Sequence, residues 1–217
     1  MNFLAQSSTF KLAGLVGVIV GVIGVTIPSL LYRGTEGEKY SFLNHYISEL
    51  GETDVSRLSW MFNLAMILAG LGIMLASLSL GMILPGFGAK AGLLLGVIAG
   101  FALSMVGAFP MNQIKLHSIA AIAFFRAGLL MVLFFSLAIG SQSGQDPLVS
   151  RWLGLVGLIP VLAFAVFLGL MWSVHKQDQE ALDTAGLERP RVWKFAVAEW
   201  SIFFSMIIWI LVLALAL

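Results

Sequence analysis

Six long runs of apolar residues, separated by polar segments, dominate the chain. The runs cover about residues 11–32, 58–84, 88–109, 117–141, 151–174 and 195–217. Each run reaches the roughly 20 residues that a helix needs to cross a bilayer. Apolar residues follow one another continuously within each run, whereas a strand of a membrane barrel alternates apolar and polar positions. The pattern predicts an all-α, polytopic membrane protein, with residues 1–217 forming a single six-helix domain.

Composition supports a membrane protein and excludes several classes of function. Hydrophobic residues make up 59% of the 217 positions and charged residues only 11%, whereas charged residues are about a quarter of a soluble domain. The net charge is +1 and the basic residues form no stripe, which argues against a nucleic-acid partner. The chain has no cysteine. Disulfides, thiolate nucleophiles and cysteine-based zinc sites are therefore excluded.

Basic residues other than Arg126 are unevenly distributed between the two membrane faces. Eight fall in loops one, three and five: Arg33, Lys39, Arg57, Lys115, Lys176, Arg189, Arg191 and Lys194. Three fall on the opposite face: Lys11, Lys90 and Arg151. The positive-inside rule then places both termini outside and the long loops in the cytoplasm.

Small residues recur every fourth position in the third span, at Gly92, Gly96, Gly100 and Ser104. Such a face lets two helix backbones approach closely. We interpret it as packing within the bundle; the alternative is a dimer face.

The first loop contains a segment, residues 42–51, that predicts a short amphipathic helix ended by glycine. His45, Ser48 and Glu49 lie on its polar side. If that side faces the bundle, His45 and Glu49 form a pair that could bind a metal or act as an acid–base couple. The alternative is a helix on the membrane surface with solvated polar residues.

All three histidines, His45, His117 and His175, are predicted to lie on the same membrane face. His45, Glu49 and His117 are the candidate catalytic and metal-binding residues, and His175 is expected to be solvated in the polar run that follows it. A divalent metal is compatible with these side chains, although the chain has no H-E-x-x-H, G-x-S-x-G or P-loop motif. The sequence leaves open whether the protein is an enzyme.

Arg126 and Glu199 are the charged residues that lie inside the spans and away from their ends. Because an arginine in the hydrocarbon core is costly, we expect Arg126 to face the bundle interior and to pair with Glu199. The pair would then be a structural salt bridge, an anion-binding arginine, or a carboxylate used in catalysis or proton movement. His117 lies nine residues before Arg126 and hence on the opposite side of the helix. Asn63 and Ser48 complete the candidate substrate contacts, although Asn63 also suits an ordinary hydrogen bond between helices.

Two segments resemble an uncharacterised six-helix family of bacterial and archaeal membrane proteins, domain of unknown function 998. One is Tyr40-Ser41-Phe42-Leu43-Asn44-His45-Tyr46-Ile47-Ser48-Glu49-Leu50-Gly51 followed by Phe62-Asn63, and the other is Gly107-Ala108-Phe109-Pro110 followed by His117 and Ala120-Ala121. The resemblance singles out His45, Ser48, Glu49, Gly51, Asn63, Pro110 and His117. It implies a prokaryotic cell membrane and a distant similarity to the eukaryotic Frag/DRAM/Sfk proteins of lipid organisation. The family usually has an acidic residue shortly after the second motif's proline, where this chain has Met111-Asn112.

Three functions are compatible with these features. The first is a protein, catalytic or not, that binds or handles a lipid headgroup at a polar mouth formed by loops one, three and five, with membrane lipids as partners. The second is an accessory or scaffold subunit packed against other membrane proteins. The third is a transporter of small molecules or protons, which ranks last because the two halves of the chain share no visible similarity.

Overall fold

The helices of the computed structural model follow the six apolar runs closely. The structure describes residues 3–143, 147–175 and 190–217, without the side chains of 174 and 175. Its helices are α1 Ser7–Leu31, α2 Ser59–Ile83, α3 Gly86–Ala108, α4 Ile114–Gly140, α5 Leu153–Val156, α6 Leu158–His175 and α7 Lys194–Ala216. The short α5 and the following α6 form one span, Leu153–Ser173. The described residues thus contain six helices long and apolar enough to cross a membrane, which confirms the predicted fold class.

Local sequence explains where α3 begins and ends. The turn from α2 into α3 runs through Pro85 and Gly86, and Gly86 has a φ of +87°, which only glycine adopts readily. At the other end, Phe109 precedes Pro110, and a proline disfavours the helical conformation in the residue before it. Helix α3 therefore stops at Ala108.

Helices α1 to α4 pack in chain order, each against the next. Helix α6 packs against α4 and α7. Helix α7 also contacts α1, and this contact is looser than the contact between α1 and α2. The weakest lateral seam among these neighbours therefore lies between the first and last spans.

The small-residue face of α3 packs within the bundle, as predicted. Gly92 lies against Phe135 of α4, Gly96 against Ser77 of α2, and Gly100 against the backbone of Gly70. The hydroxyl of Ser104 donates to the Ile67 carbonyl of α2 at 3.1 Å. Small residues therefore let α3 approach the backbone of α2 closely and make room for Phe135 of α4.

The first loop differs from its prediction in two ways. A turn and a 3₁₀ helix, Ile47–Gly51, replace the amphipathic helix expected over residues 42–51. Its part from His45 to Gly51 is also largely buried, with His45 2% and Glu49 3% exposed, so it is not an interfacial helix. Side chains from elsewhere in the fold form hydrogen bonds with its backbone, and these compete with the hydrogen bonds of a regular helix.

We predict that Gly100→Ala destabilises the bundle by about 1–3 kcal/mol, the usual cost of overpacking. A Cβ at position 100 would collide with the Gly70 carbonyl and lie 2.8 Å from the Met74 nitrogen. Thermal unfolding in detergent measures the change. Gly169→Ala is the matched control because position 169 is exposed and its Cβ would meet nothing within 4 Å. Equal midpoints for the two variants would show that α2 and α3 are not in close backbone contact.

Candidate functional site

Glu199 of α7 holds the first loop in the mouth of the bundle. Its Oε2 accepts a hydrogen bond from the Ile47 N–H at 2.8 Å. The neighbouring Trp200 donates from its indole Nε1–H to the His45 carbonyl at 3.2 Å. The Trp193 N–H donates to the Leu43 carbonyl at 2.7 Å. The start of α7 therefore satisfies the backbone of a buried loop that lies about 150 residues earlier in the chain.

Bonds within the first loop fix its shape. Glu49 Oε1 accepts the Tyr46 N–H at 2.8 Å, and the Tyr40 hydroxyl donates to the Tyr46 carbonyl at 2.8 Å. The His45 ring lies between Tyr32 and Tyr40, with centroid distances of 5.5 and 5.0 Å, and its Nδ1 is 2.8 Å from Asn44 Oδ1. His45 and Glu49, two of the predicted catalytic candidates, are thus interior residues of the folded loop.

Asn63 of α2 anchors the end of this loop. Its Nδ2 donates to the Gly51 carbonyl at 3.0 Å, so the amide has a structural role. A Cβ at position 51 would collide with the Asn63 side chain and the Phe62 ring. Gly51 is therefore required for the loop to lie on α2.

Asn112 connects the first and third loops. Its Oδ1 accepts from the Thr53 N–H at 2.8 Å and from the Thr53 hydroxyl at 2.9 Å, while its Nδ2 donates to Asp54 at 3.1 Å. An acidic side chain at position 112 would keep the acceptor role towards Thr53 and repel Asp54. Asn112, at the place where the resemblance implied an acidic residue, therefore has a local structural role in this chain.

His117 joins the end of α3 to the start of α4. Its Nδ1 lies 2.8 Å from the Phe109 carbonyl, and because a carbonyl only accepts, Nδ1 is the donor. Phe109 directly follows Ala108, the last residue of α3, and is the C-cap of that helix. The spacing from the Phe109-Pro110 pair to His117 therefore has a structural explanation, and the ring is held at the edge of a cavity.

This cavity lies inside the bundle and has a volume of about 140 Å³. Apolar side chains and glycines of α1, α2, α3, α4 and α7 make up most of its lining. Its polar side chains are Ser48, His117 and Glu199, all close to the first-loop end of the bundle. The lining of α7 continues from Glu199 to Ile210, about 16 Å along the helix. The cavity is thus apolar over most of its length and polar at one end.

The structure brings together only part of the predicted site. Ser48, His117 and Glu199 line the cavity, whereas His45, Glu49, Asn63 and Arg126 do not. Sequence reasoning missed Gly21, which lines the cavity from α1, and Trp200, which holds the first loop. The position of Trp200 directly after Glu199 was the available signal.

Glu199 is the acidic side chain that lines the polar end of the cavity. Burial raises the pKa of Tyr40 and of Tyr46 well above the usual value, and the negative charges of Glu199 and Glu49 raise both further. No lysine or arginine lines the cavity. The polar end therefore favours groups that donate hydrogen bonds or carry positive charge.

The prediction that Arg126 faces the bundle interior is wrong. The side chain is exposed on the outer surface of α4, and the described residues contain no ion pair between Arg126 and Glu199. His117 lines the cavity from the opposite side of the same helix, as the nine-residue spacing predicts. An arginine at the centre of a span costs about 2.5–3.5 kcal/mol on insertion scales. That cost predicts a partner for the guanidinium, but it does not place the partner within the same chain.

The described residues contain no group of three histidine or acidic side chains arranged to hold a metal ion. His45 and His117 have separate structural bonds, to Asn44 and Phe109. The side chain of His175 lies outside the described residues. We therefore derive no metal-dependent chemistry for His45, Glu49 and His117.

We predict that at most one of the three tyrosines ionises near pH 10 in the folded protein. The raised pKa values of Tyr40 and Tyr46 keep both phenols protonated. Because these folded-state values exceed the unfolded ones, the stabilisation is present below pH ~10 and is lost at higher pH. The absorbance of tyrosinate, followed against pH in detergent, measures this. Denatured protein, in which all three tyrosines should titrate together, is the control; the same curve from folded protein would contradict the buried loop.

Comparison with known proteins gives one match, and it agrees with the fold. No curated protein and no solved structure matches the chain, so no named relative supports the similarity to Frag/DRAM/Sfk proteins. The model of the family described as protein of unknown function (DUF998) matches residues 15–216. This match covers all six spans except the first turns of α1. The chain is therefore a multi-pass membrane protein that belongs to the DUF998 family.

Proposed function

We propose that this protein binds an amphiphilic lipid whose apolar chain enters the cavity and whose polar group meets Glu199. The observation that carries the proposal is the polarity of the cavity, which is apolar along α1, α2 and α7 and has Ser48, His117 and Glu199 at one end. An amphiphile matches that distribution, since its apolar chain avoids the polar end and its headgroup finds hydrogen-bonding partners there.

The dimensions of the cavity suit one segment of an acyl or prenyl chain. A volume of about 140 Å³ is close to the ~150 Å³ of an engineered cavity that binds benzene. The rest of the lipid would therefore extend outside the bundle. The loose seam between α1 and α7 is the natural entrance, because Phe203, Ile207 and Ile210 of α7 line the cavity and remain partly exposed.

The charges at the polar end favour an amine or hydroxyl headgroup over a phosphate. The Glu199 carboxyl accepts a single hydrogen bond among the described residues, from Ile47, and its side chain lines the cavity. An ammonium group there would form a charge-assisted bond with the Glu199 carboxylate and keep it ionised, whereas a phosphate would find no lysine or arginine in the cavity lining. Arg126, the residue expected to bind an anionic headgroup, lies on the other side of α4.

Binding is better supported than catalysis. Among the three acid–base candidates only His117 lines the cavity, and its Nδ1 is occupied by the Phe109 carbonyl. His45 and Glu49 stabilise the loop that closes the polar end. We therefore propose a lipid-binding protein without assigning a reaction to it.

We predict that Gly21→Phe abolishes lipid binding without disturbing the fold. Gly21 is buried and lines the cavity, and a Cβ there meets nothing within 4 Å, so an aromatic ring would fill the space that the lipid chain needs. Native mass spectrometry of protein released from mild detergent would count the retained dodecylamine or dodecanol molecules. Retention should fall to the level of a sample without added lipid.

Gly169→Phe is the matched control for that experiment. Gly169 lies on the exposed side of α6, and a Cβ there also meets nothing within 4 Å. This variant should retain both amphiphiles as the unmodified protein does. If Gly21→Phe retains them equally well, the cavity is not the binding site.

We also predict that Glu199→Gln weakens dodecylamine binding about tenfold and changes dodecanol binding by less than about twofold. The amide oxygen of glutamine can still accept the Ile47 N–H, whereas the charge that strengthens a bond to ammonium is lost. Dissociation constants from titration calorimetry in micelles measure both effects, with dodecyl phosphate as the anionic comparison. A preference for dodecyl phosphate in the unmodified protein would contradict the proposed headgroup class.

A further inference from the structure

Arg126 lies near the middle of α4, and its side chain is exposed on the outer surface of the bundle. Helix α4 extends twelve residues before it and fourteen after it, about 18 and 21 Å. Both distances exceed half the thickness of the hydrocarbon core, about 15 Å. The guanidinium has no hydrogen bond or ion pair with any residue that the structure describes. As a monomer the protein would therefore expose a bare cation to lipid chains at mid-membrane.

The surface around Arg126 is apolar and continuous along the helix. We call it the Arg126 face; its members follow one another at intervals of four and three residues and are exposed or half-buried: Ile119, Ala123, Arg126, Leu130, Leu133 and Leu137. This spacing is that of a seam along which a second helix can lie. Ala123, one turn before Arg126, lets a neighbouring backbone approach closely.

A second copy of the chain cannot neutralise Arg126 on this face. Glu199 is the single acidic residue within the six spans, and it lines the interior cavity and bonds Ile47. Lipid phosphates are also a poor match, because an arginine side chain at the membrane centre is too short to reach either headgroup layer. Snorkelling is effective near the ends of a helix.

We propose that the Arg126 face docks a transmembrane helix of a different membrane protein, one with an aspartate or glutamate at mid-membrane. The carboxylate pairs with the Arg126 guanidinium, and the apolar residues of the face pack along the partner helix. A charged pair at one position of an otherwise apolar seam also fixes the register of the two helices. Charge complementarity therefore selects the partner, and this interaction does not depend on the lipid cavity.

Association with synthetic transmembrane helices in phosphatidylcholine vesicles tests the proposal. The probes are two leucine-rich peptides that differ only in a central residue, glutamate or leucine, each labelled for energy transfer to the labelled full-length protein. The glutamate peptide should associate at least about tenfold more strongly than the leucine peptide. Arg126→Leu should remove that difference, and Arg126→Lys, which keeps the charge, should retain most of it.

A third peptide tests the register, with its glutamate moved two turns towards one end. It should lose most of the stronger association of the central-glutamate peptide, because its carboxylate can no longer meet Arg126 while the apolar residues stay in contact. Equal association of all three peptides would overturn the proposal, as would a glutamate preference that persists in Arg126→Leu. In a second set of vesicles that also contain phosphatidylglycerol, enrichment of that lipid around the unmodified protein but not around Arg126→Leu, without a glutamate preference, would overturn it in favour of a lipid contact.

Discussion

The architecture of the polar end depends on how the peptide groups of the first loop find hydrogen-bond partners inside the bundle. An unpaired peptide group buried away from water costs about as much as a lost hydrogen bond, so the segment from Leu43 to Gly51 needs partners. It finds them at the start of α7, where Glu199 accepts from Ile47 and Trp200 donates to His45. Asn63 of α2 completes the set at Gly51. The loop is therefore a part of the bundle and not a cover lying on it.

This arrangement determines the character of the cavity beneath the loop. The carboxyl that holds the loop is also the acidic group that lines the cavity, so loop position and cavity polarity rest on the same side chain, Glu199. The glycines of α1 leave room for the cavity, and the loose contact between α1 and α7 offers an entrance to it. The polar end and the outer Arg126 face lie on opposite sides of α4. Lipid binding and helix docking are thus proposals about separate surfaces.

Sequence reasoning succeeded where periodicity and hydropathy decide the outcome. The spans agree with the helices to within a few residues, because bilayer thickness fixes their length. The small-residue face of α3 packs as expected, and helical geometry correctly placed His117 and Arg126 on opposite sides of α4. The path of the first loop could not be derived, since its bonds come from residues about 150 positions later. Arg126 was misplaced because the cost of a membrane charge requires a partner and says nothing about which molecule supplies it.

Hydrogen–deuterium exchange of the first loop in detergent tests most directly whether Glu199 holds this loop in the bundle. The account predicts that the amides of residues 44–47 and of Glu49 exchange slowly in the unmodified protein, because they bond within the loop or to Glu199. It predicts fast exchange of the same amides in Glu199→Ala, with the amides of α2 and α3 still protected. Fast exchange of the loop in the unmodified protein, or equal protection in both proteins, would contradict the account.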